Sequence, residues 1–219
     1  IPASSVGAFH RQLPLCTIAR WNRPRAAGVA SRAQLLTPPA DSPVSGTPPL
    51  VRLGTPTFGS FNHAMKLTDA TLAMWRALFA LLPAARLVAV GIPSGSSRRR
   101  VTDALAIAPA RVEFAPRLDD AGYRAMFARV DVALDPLPFS GATTTLDALW
   151  QGVPVVTLPG PWTWSRSSAS LLAGLGAEAW IARDAGQVAV AIAAQQHAPA
   201  ARQRPLHFGI GQRVGGEQR

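Results

Sequence analysis

The sequence predicts a doubly wound α/β domain built on a parallel sheet, and three observations carry that reading. From Thr55 onward short apolar runs alternate with segments of helical period, the pattern of a parallel sheet covered on both faces. The runs are nearly continuous in apolar residues, as in VPVVTL at 153–158, which fits strands buried from both sides. Capping and breaking residues, Thr68, Pro83 and Gly152 among them, stand at the junctions.

Residues 57–62 form a short first strand. Thr68 caps a helix over 69–82, with Leu72, Trp75, Leu78, Phe79 and Leu82 on one face, and Pro83 stops it. Residues 86–92 are a buried strand and 97–107 a helix with a basic start at Arg98, Arg99 and Arg100. Residues 111–115 are a strand. The helix over 119–129 opens on Asp119 and Asp120, which suit the positive end of its dipole. A buried strand at 130–134 runs into a loop broken by Pro and Gly, and the loop delivers three consecutive threonines to a helix that ends at Gly152. A strand at 153–158, a helix at 165–175, a strand at 179–182 and a helix at 185–196 complete the pattern. We therefore expect an irregular Pro-rich segment over 1–50, the α/β domain over 51–195 and a disordered tail over 196–219.

Composition narrows the function classes. About half of the 219 residues are apolar (48%), enough for a substantial core. Cys16 is the single cysteine, so an internal disulfide is impossible, and a reducing, cytoplasmic setting is expected. One Cys and four scattered His give no metal cluster. The formal charge is +10, but residues 1–53 carry +5 and residues 196–219 carry +3, leaving only +2 on the patterned middle. A nucleic-acid-binding domain would be expected to hold its basic face on the folded part, so nucleic acid is not an expected partner. No apolar run reaches the ~18 residues of a membrane span, since 72–93 is interrupted by Arg76, Pro83 and Arg86. The chain starts on Ile1; it reads as a fragment without a targeting signal.

In doubly wound sheets ligands bind beyond the C-terminal strand ends, so the loops after Phe61, Ala115, Leu134 and Leu158 share one rim. Thr143 and Thr144 open a helix there, offering hydroxyls and free amides to an anion. Asp147 lies on the same face, one turn on, where a carboxylate can accept from a ribose hydroxyl. The spacing equally fits a simple threonine N-cap and a solvated aspartate. Lys66, in the loop after the first strand, is the only lysine among 22 basic residues. A lysine on this rim can neutralise a diphosphate leaving group, or be an ordinary surface residue. Arg166 can contact a phosphate or pair with Asp135; Tyr123 can stack on a base or pack in the core; His63 can act as base or donor, or be structural. The run Arg98–Arg100 reads as a solvated helix start. No Ser/His/Asp constellation, paired carboxylates or GxGxxG motif is present.

The segments TFGSFNHAMKLT (57–68), VDVALDPLPFSGATTTLDALWQGVPVVTLPG (130–160) and SRSSASLLAGLG (165–176) together resemble the C-terminal catalytic half of the O-linked N-acetylglucosamine transferase family, its bacterial members above all. The resemblance runs over roughly 35–190. It implies a Rossmann-like domain, one of two that face a cleft in the GT-B architecture, and an inverting transfer from UDP-N-acetylglucosamine to a protein Ser or Thr without a metal or other cofactor. By position, Lys66 resembles the lysine that neutralises the UDP diphosphate, and Thr143 and Thr144 the phosphate-binding residues. Asp147 resembles the ribose-binding carboxylate, and Leu118 falls where a backbone group reads the uracil. His63 stands where Asn or Gln is usual, Ala142 where His or Gly is, Tyr123 where some members have His and Asp120 where they have Lys. The family's other Rossmann-like half and its helical repeats find no counterpart in the sequence. The expected function is thus donor binding within an inverting protein O-glycosyltransferase. The alternatives are an inactive nucleotide-binding remnant or interaction module, and, more weakly, nucleic-acid binding through the Arg-rich flanks.

Overall fold

The computed structural model describes residues 47–196. Most of the expected Pro-rich segment and the expected tail from residue 197 lie outside them. The described residues form a five-stranded, all-parallel sheet in the order β3-β2-β1-β4-β5. Its strands are β1 (Thr57–Ser60), β2 (Arg86–Val90), β3 (Val112–Ala115), β4 (Val132–Leu134) and β5 (Val155–Val156). Its helices are α1 (Pro49–Leu53), α2 (Asp69–Leu81), α3 (Ser96–Leu105), α4 (Asp120–Met126), α5 (Thr143–Trp150), α6 (Ser167–Gly174) and α7 (Ala185–Gln196).

Every residue of β1, β4 and β5 is buried, so helices and loops cover both sheet faces, as the unbroken apolar runs require. Edge strand β3 is only half-buried. Thr68 caps α2 by accepting the amide of Thr71, and Leu72, Trp75, Leu78 and Phe79 point into the core. α2 packs against α3 and α7. Phe58 lies edge-on to Phe79 at 5.5 Å between ring centroids, joining β1 to α2.

Several elements are shorter than their sequence patterns. The first strand ends at Ser60, β5 keeps two residues, and the helix expected to reach 129 gives way after Met126 to a 3-10 turn, Phe127–Arg129. α3 stops before Ala106, which takes a left-handed φ of 51°. The strand expected at 179–182 is a 3-10 turn, Glu178–Trp180, followed by one parallel bridge from Ile181 to Thr157. Apolar runs report burial, and chain continuing beyond the last ladder bond stays buried without being strand. The expected boundary at residue 50 falls inside α1, because the buried Asp131 carboxylate accepts the amides of Leu50 at 2.9 Å and Thr57 at 2.8 Å. The run Arg98–Arg100 is more than a solvated start. Arg98 donates to Ile92 O and Arg100 to Leu67 O and Asp69, tying the loops after β1 and β2 to α3.

The chain runs outward from β1 through β2 to β3, then returns to lay β4 on the other side of β1. This reversal opens a crevice beyond the carboxyl ends of β1 and β4, the general place for a ligand in such sheets.

Candidate functional site

The two loops that flank the crevice carry Lys66 and the start of α5. The loop after β1 turns through a short 3-10 helix, Ala64–Lys66, and the loop after β4 runs from Asp135 to Ala142. Side chains lock these loops together. Thr71 Oγ1 donates to Leu137 O at 2.7 Å while Leu137 N donates back to Thr71 Oγ1 at 2.8 Å. Thr68 Oγ1 donates to the same carbonyl. Lys66 Nζ donates to Ser140 O at 3.2 Å. One of its three N–H donors is thereby used, and the others remain for a ligand.

Asp135 sits beneath the loop and is 2% exposed. It accepts from Gly141 N at 2.6 Å and from Thr157 Oγ1 at 2.6 Å. Burial raises its carboxyl above the ordinary value, against the hydrogen bonds and the charge of Lys66, which lower it. A Cβ on Gly141 would lie 2.6 Å from Thr144 Oγ1 and 2.7 Å from Thr145 Oγ1. The missing side chain is what lets the loop close onto α5.

α5 begins after Ala142, which makes no side-chain cap bond. Neither Thr143 nor Thr144 is therefore the N-cap, and the three threonines take separate roles. Thr143 is exposed, Thr144 Oγ1 donates to Asn62 Oδ1 across the crevice at 3.2 Å, and Thr145 Oγ1 pairs with Ser168 Oγ on α6 at 2.8 Å. The first-turn amides of a helix have no intrahelical acceptor and sit at its positive end. With Lys66 on the facing loop, the arrangement can hold an anion.

Asp147 is one turn further along α5, half-buried, and its Oδ2 accepts the Tyr123 hydroxyl at 3.1 Å. Burial raises the Asp147 carboxyl, offset by the Tyr123 hydrogen bond and Arg124 and reinforced by Asp120. Burial, then the Asp147 charge and the shared hydrogen bond, push the Tyr123 phenol far above its usual value. Tyr123 joins an aromatic cluster, edge-on to Phe61 at 5.9 Å and to Phe127 at 5.3 Å.

The remaining sequence candidates are less central. Leu118, on the loop between β3 and α4, is half-buried against the core. His63 is exposed and caps the 3-10 turn, its Nδ1 accepting from Met65 N at 3.3 Å. Arg166 makes no pair with Asp135; its Nε donates to Gly160 O at 2.8 Å and braces the loop after β5. Asp135 is instead satisfied by neutral donors. Ser140 is a residue that pattern reading missed: its Oγ donates to Trp164 O at 2.9 Å and accepts from Ser167 N at 3.0 Å, joining the loops after β4 and β5. Above it Phe139, Trp164 and Trp162 form an exposed stack, with successive ring centroids 6.1 and 5.4 Å apart. No cluster of metal-ligating side chains occurs among the described residues, nor any helix long and apolar enough to cross a membrane.

The family model for glycosyl transferase family 41 matches residues 54–206, which takes in the whole sheet and both loops of the crevice. The chain belongs to glycosyl transferase family 41. Among curated relatives of this family 41 chain, a Petunia hybrida protein carries the name "Probable UDP-N-acetylglucosamine--peptide N-acetylglucosaminyltransferase SPINDLY". It is 34% identical over 152 residues, 67% of this chain and 16% of the relative. A UDP-N-acetylglucosamine–peptide N-acetylglucosaminyltransferase of Giardia intestinalis is 31% identical over 143 residues, covering 59% of this chain and 9% of its own length. Among solved structures, a variant of the Thermobaculum terrenum O-GlcNAc transferase superposes with a TM-score of 0.62 at 33% identity, over 75% of this chain and 31% of that one. The chain thus spans about a sixth of the length of the first SPINDLY relative (16%).

Proposed function

We propose that this family 41 chain is the donor-binding domain of an inverting protein O-glycosyltransferase, and that it takes UDP-N-acetylglucosamine or a related nucleotide sugar. The observation that supports this most is the hydrogen bond from Lys66, on the loop after β1, to Ser140 O in the loop that leads into α5, across the crevice between β1 and β4. A diphosphate there is met by a cation on one side and helix amides on the other. In the proposed reaction a Ser or Thr hydroxyl oxygen of an acceptor protein bonds to the anomeric carbon as the bond to the phosphate oxygen breaks. UDP leaves with the electron pair. Lys66 and the first-turn amides stabilise the charge that grows on it, and this electrostatic role calls for no metal or other cofactor. Thr143 and Thr144 line the phosphate end, Asp147 meets the ribose, and the Leu118 backbone and His63 lie toward the base and the donor. The proton of the acceptor hydroxyl goes to a base outside the residues assigned here. A cytoplasmic setting fits the single cysteine. The names of the relatives, which carry both the donor and a peptide acceptor, support the same reading.

Calorimetry with UDP and UDP-N-acetylglucosamine tests it. Both bind, and Lys66→Ala and Asp147→Ala weaken the binding. Absence of UDP affinity in protein with a cooperative melting transition overturns the reading.

No base for the acceptor hydroxyl is assigned among the described residues of the crevice, which favours a second reading, a nucleotide-binding module without activity of its own. A transferase assay with UDP-N-acetylglucosamine and a Ser/Thr peptide separates the two. Turnover by this chain alone excludes the inactive module.

A further inference from the structure

Tyr123 and Asp147 come from different helices, α4 and α5, and meet at 3.1 Å through the phenol oxygen and Asp147 Oδ2. An ionised carboxylate only accepts, so the phenol donates. The phenol has little freedom to turn away, because its ring is wedged edge-on against Phe61 and Phe127, which are themselves stacked at 4.0 Å. Asp147 Oδ1 accepts from no protein donor among the described residues. One oxygen of this carboxylate is therefore engaged by the protein and the other is open.

We infer that Tyr123 is a positioning and specificity-determining residue, which holds Asp147 so that Oδ1 is its stronger acceptor for a ribose diol. This rests on the reading of the crevice as a nucleoside diphosphate site. A carboxylate with both oxygens open clamps two neighbouring hydroxyls, one on each. Oδ2, already shared with the phenol, offers a ribose hydroxyl only its second acceptor site, so the hydroxyl on Oδ1 gains the stronger charge-assisted bond. Recognition of the diol becomes uneven: the hydroxyl on Oδ1 carries more of the affinity than its neighbour. Arg124 and Asp120, the charged groups that act on Asp147, alter its charge balance but supply no donor to Oδ1.

The test is calorimetry on the full chain with UDP, 2′-deoxy-UDP, 3′-deoxy-UDP and inorganic pyrophosphate. In the unaltered protein one deoxy analogue binds about tenfold to a hundredfold more weakly than UDP, the loss of one charge-assisted hydrogen bond. The other deoxy analogue loses distinctly less, since its missing hydroxyl meets only the oxygen already shared with the phenol. In Tyr123→Phe, Oδ2 is released, the two penalties converge, and pyrophosphate affinity is unchanged. A merely structural role for Tyr123 would not move the ratio of the two analogues. Equal penalties in the unaltered protein, or a ratio unchanged in Tyr123→Phe, overturn the inference while UDP binding stands. Binding of neither UDP nor pyrophosphate removes the donor-site reading and this inference with it. If Tyr123→Phe does not fold, the two analogues in the unaltered protein still decide.

Discussion

The amide of Gly141 donates to Asp135 Oδ1 at 2.6 Å, and this bond sets where α5 begins. Asp135 follows the last residue of β4, so the sheet itself anchors the loop that leads to the helix start. Thr157, just past β5, holds the other carboxylate oxygen at 2.6 Å. The amides that face the crevice are thereby placed by two adjacent strands rather than by a free loop.

Gly141→Ala tests this closure. The added Cβ would meet three oxygens at 2.6, 2.7 and 3.0 Å, those of Thr144, Thr145 and Asp135. We expect a destabilisation of about 1–3 kcal/mol, the usual cost of overpacking. Urea denaturation reads it, and UDP affinity falls with it. An unchanged urea midpoint contradicts the prediction.

Thr71→Val keeps the shape of the side chain and removes its exchange of hydrogen bonds with Leu137. The Leu137 amide loses its acceptor, at a cost of about 1–3 kcal/mol. Because the exchange joins the two loops of the crevice, hydrogen exchange at Leu137 and Ser140 speeds up as well. Protection equal to that of the unaltered protein refutes the link.

Lys66→Ala removes the positive side chain that bonds Ser140 O in the loop leading into α5. UDP affinity is expected to fall roughly tenfold to a hundredfold, the loss of a charge-assisted contact, with the melting temperature almost unchanged. Lys66→Arg recovers only part of it, because a planar fork does not replace a compact ammonium. Unaltered UDP affinity in Lys66→Ala removes Lys66 from the site.

Asp135 makes stability depend on pH in a defined direction. Burial raises its carboxyl above the usual 3.8 in the folded state, so the folded chain holds this proton more tightly than the unfolded one. The stability it contributes is full below pH 3.8 and is lost as the pH rises through the raised folded value. Asp135→Asn keeps an acceptor for Gly141 but does not titrate. The stability of Asp135→Asn relative to the unaltered protein therefore increases from acid toward neutral pH. Urea midpoints across that range check this, and a constant difference is the contrary result.

The local elements that carry the candidate site were legible, because each is written in a short stretch of chain. Lys66 stands out as the only lysine, and three threonines before a short amphipathic stretch mark a helix start on sight. What each threonine does was not legible. Thr144 reaches Asn62, 82 residues away, and Thr145 reaches Ser168 on another helix. Hydroxyls form bonds with whatever the fold brings near, and spacing along one helix carries no record of that. Arg166 shows the same limit: a basic residue expected at a phosphate or at Asp135 braces Gly160 instead. Ser140 gave no signal at all, since a lone serine in a loop becomes a bridge only when Trp164 and Ser167 fold against it.

The sequence by itself determined the class of fold and the rim that carries the candidate site. Burial on both faces and helical period are written in the order of apolar residues, while the strand order that opens the candidate crevice came only with the fold. The tertiary structure alone decided which side chains meet there. It put the Tyr123 phenol on Asp147 and the Lys66 ammonium on the Ser140 carbonyl, because side chains far apart in the chain become partners only where packing has removed competing water.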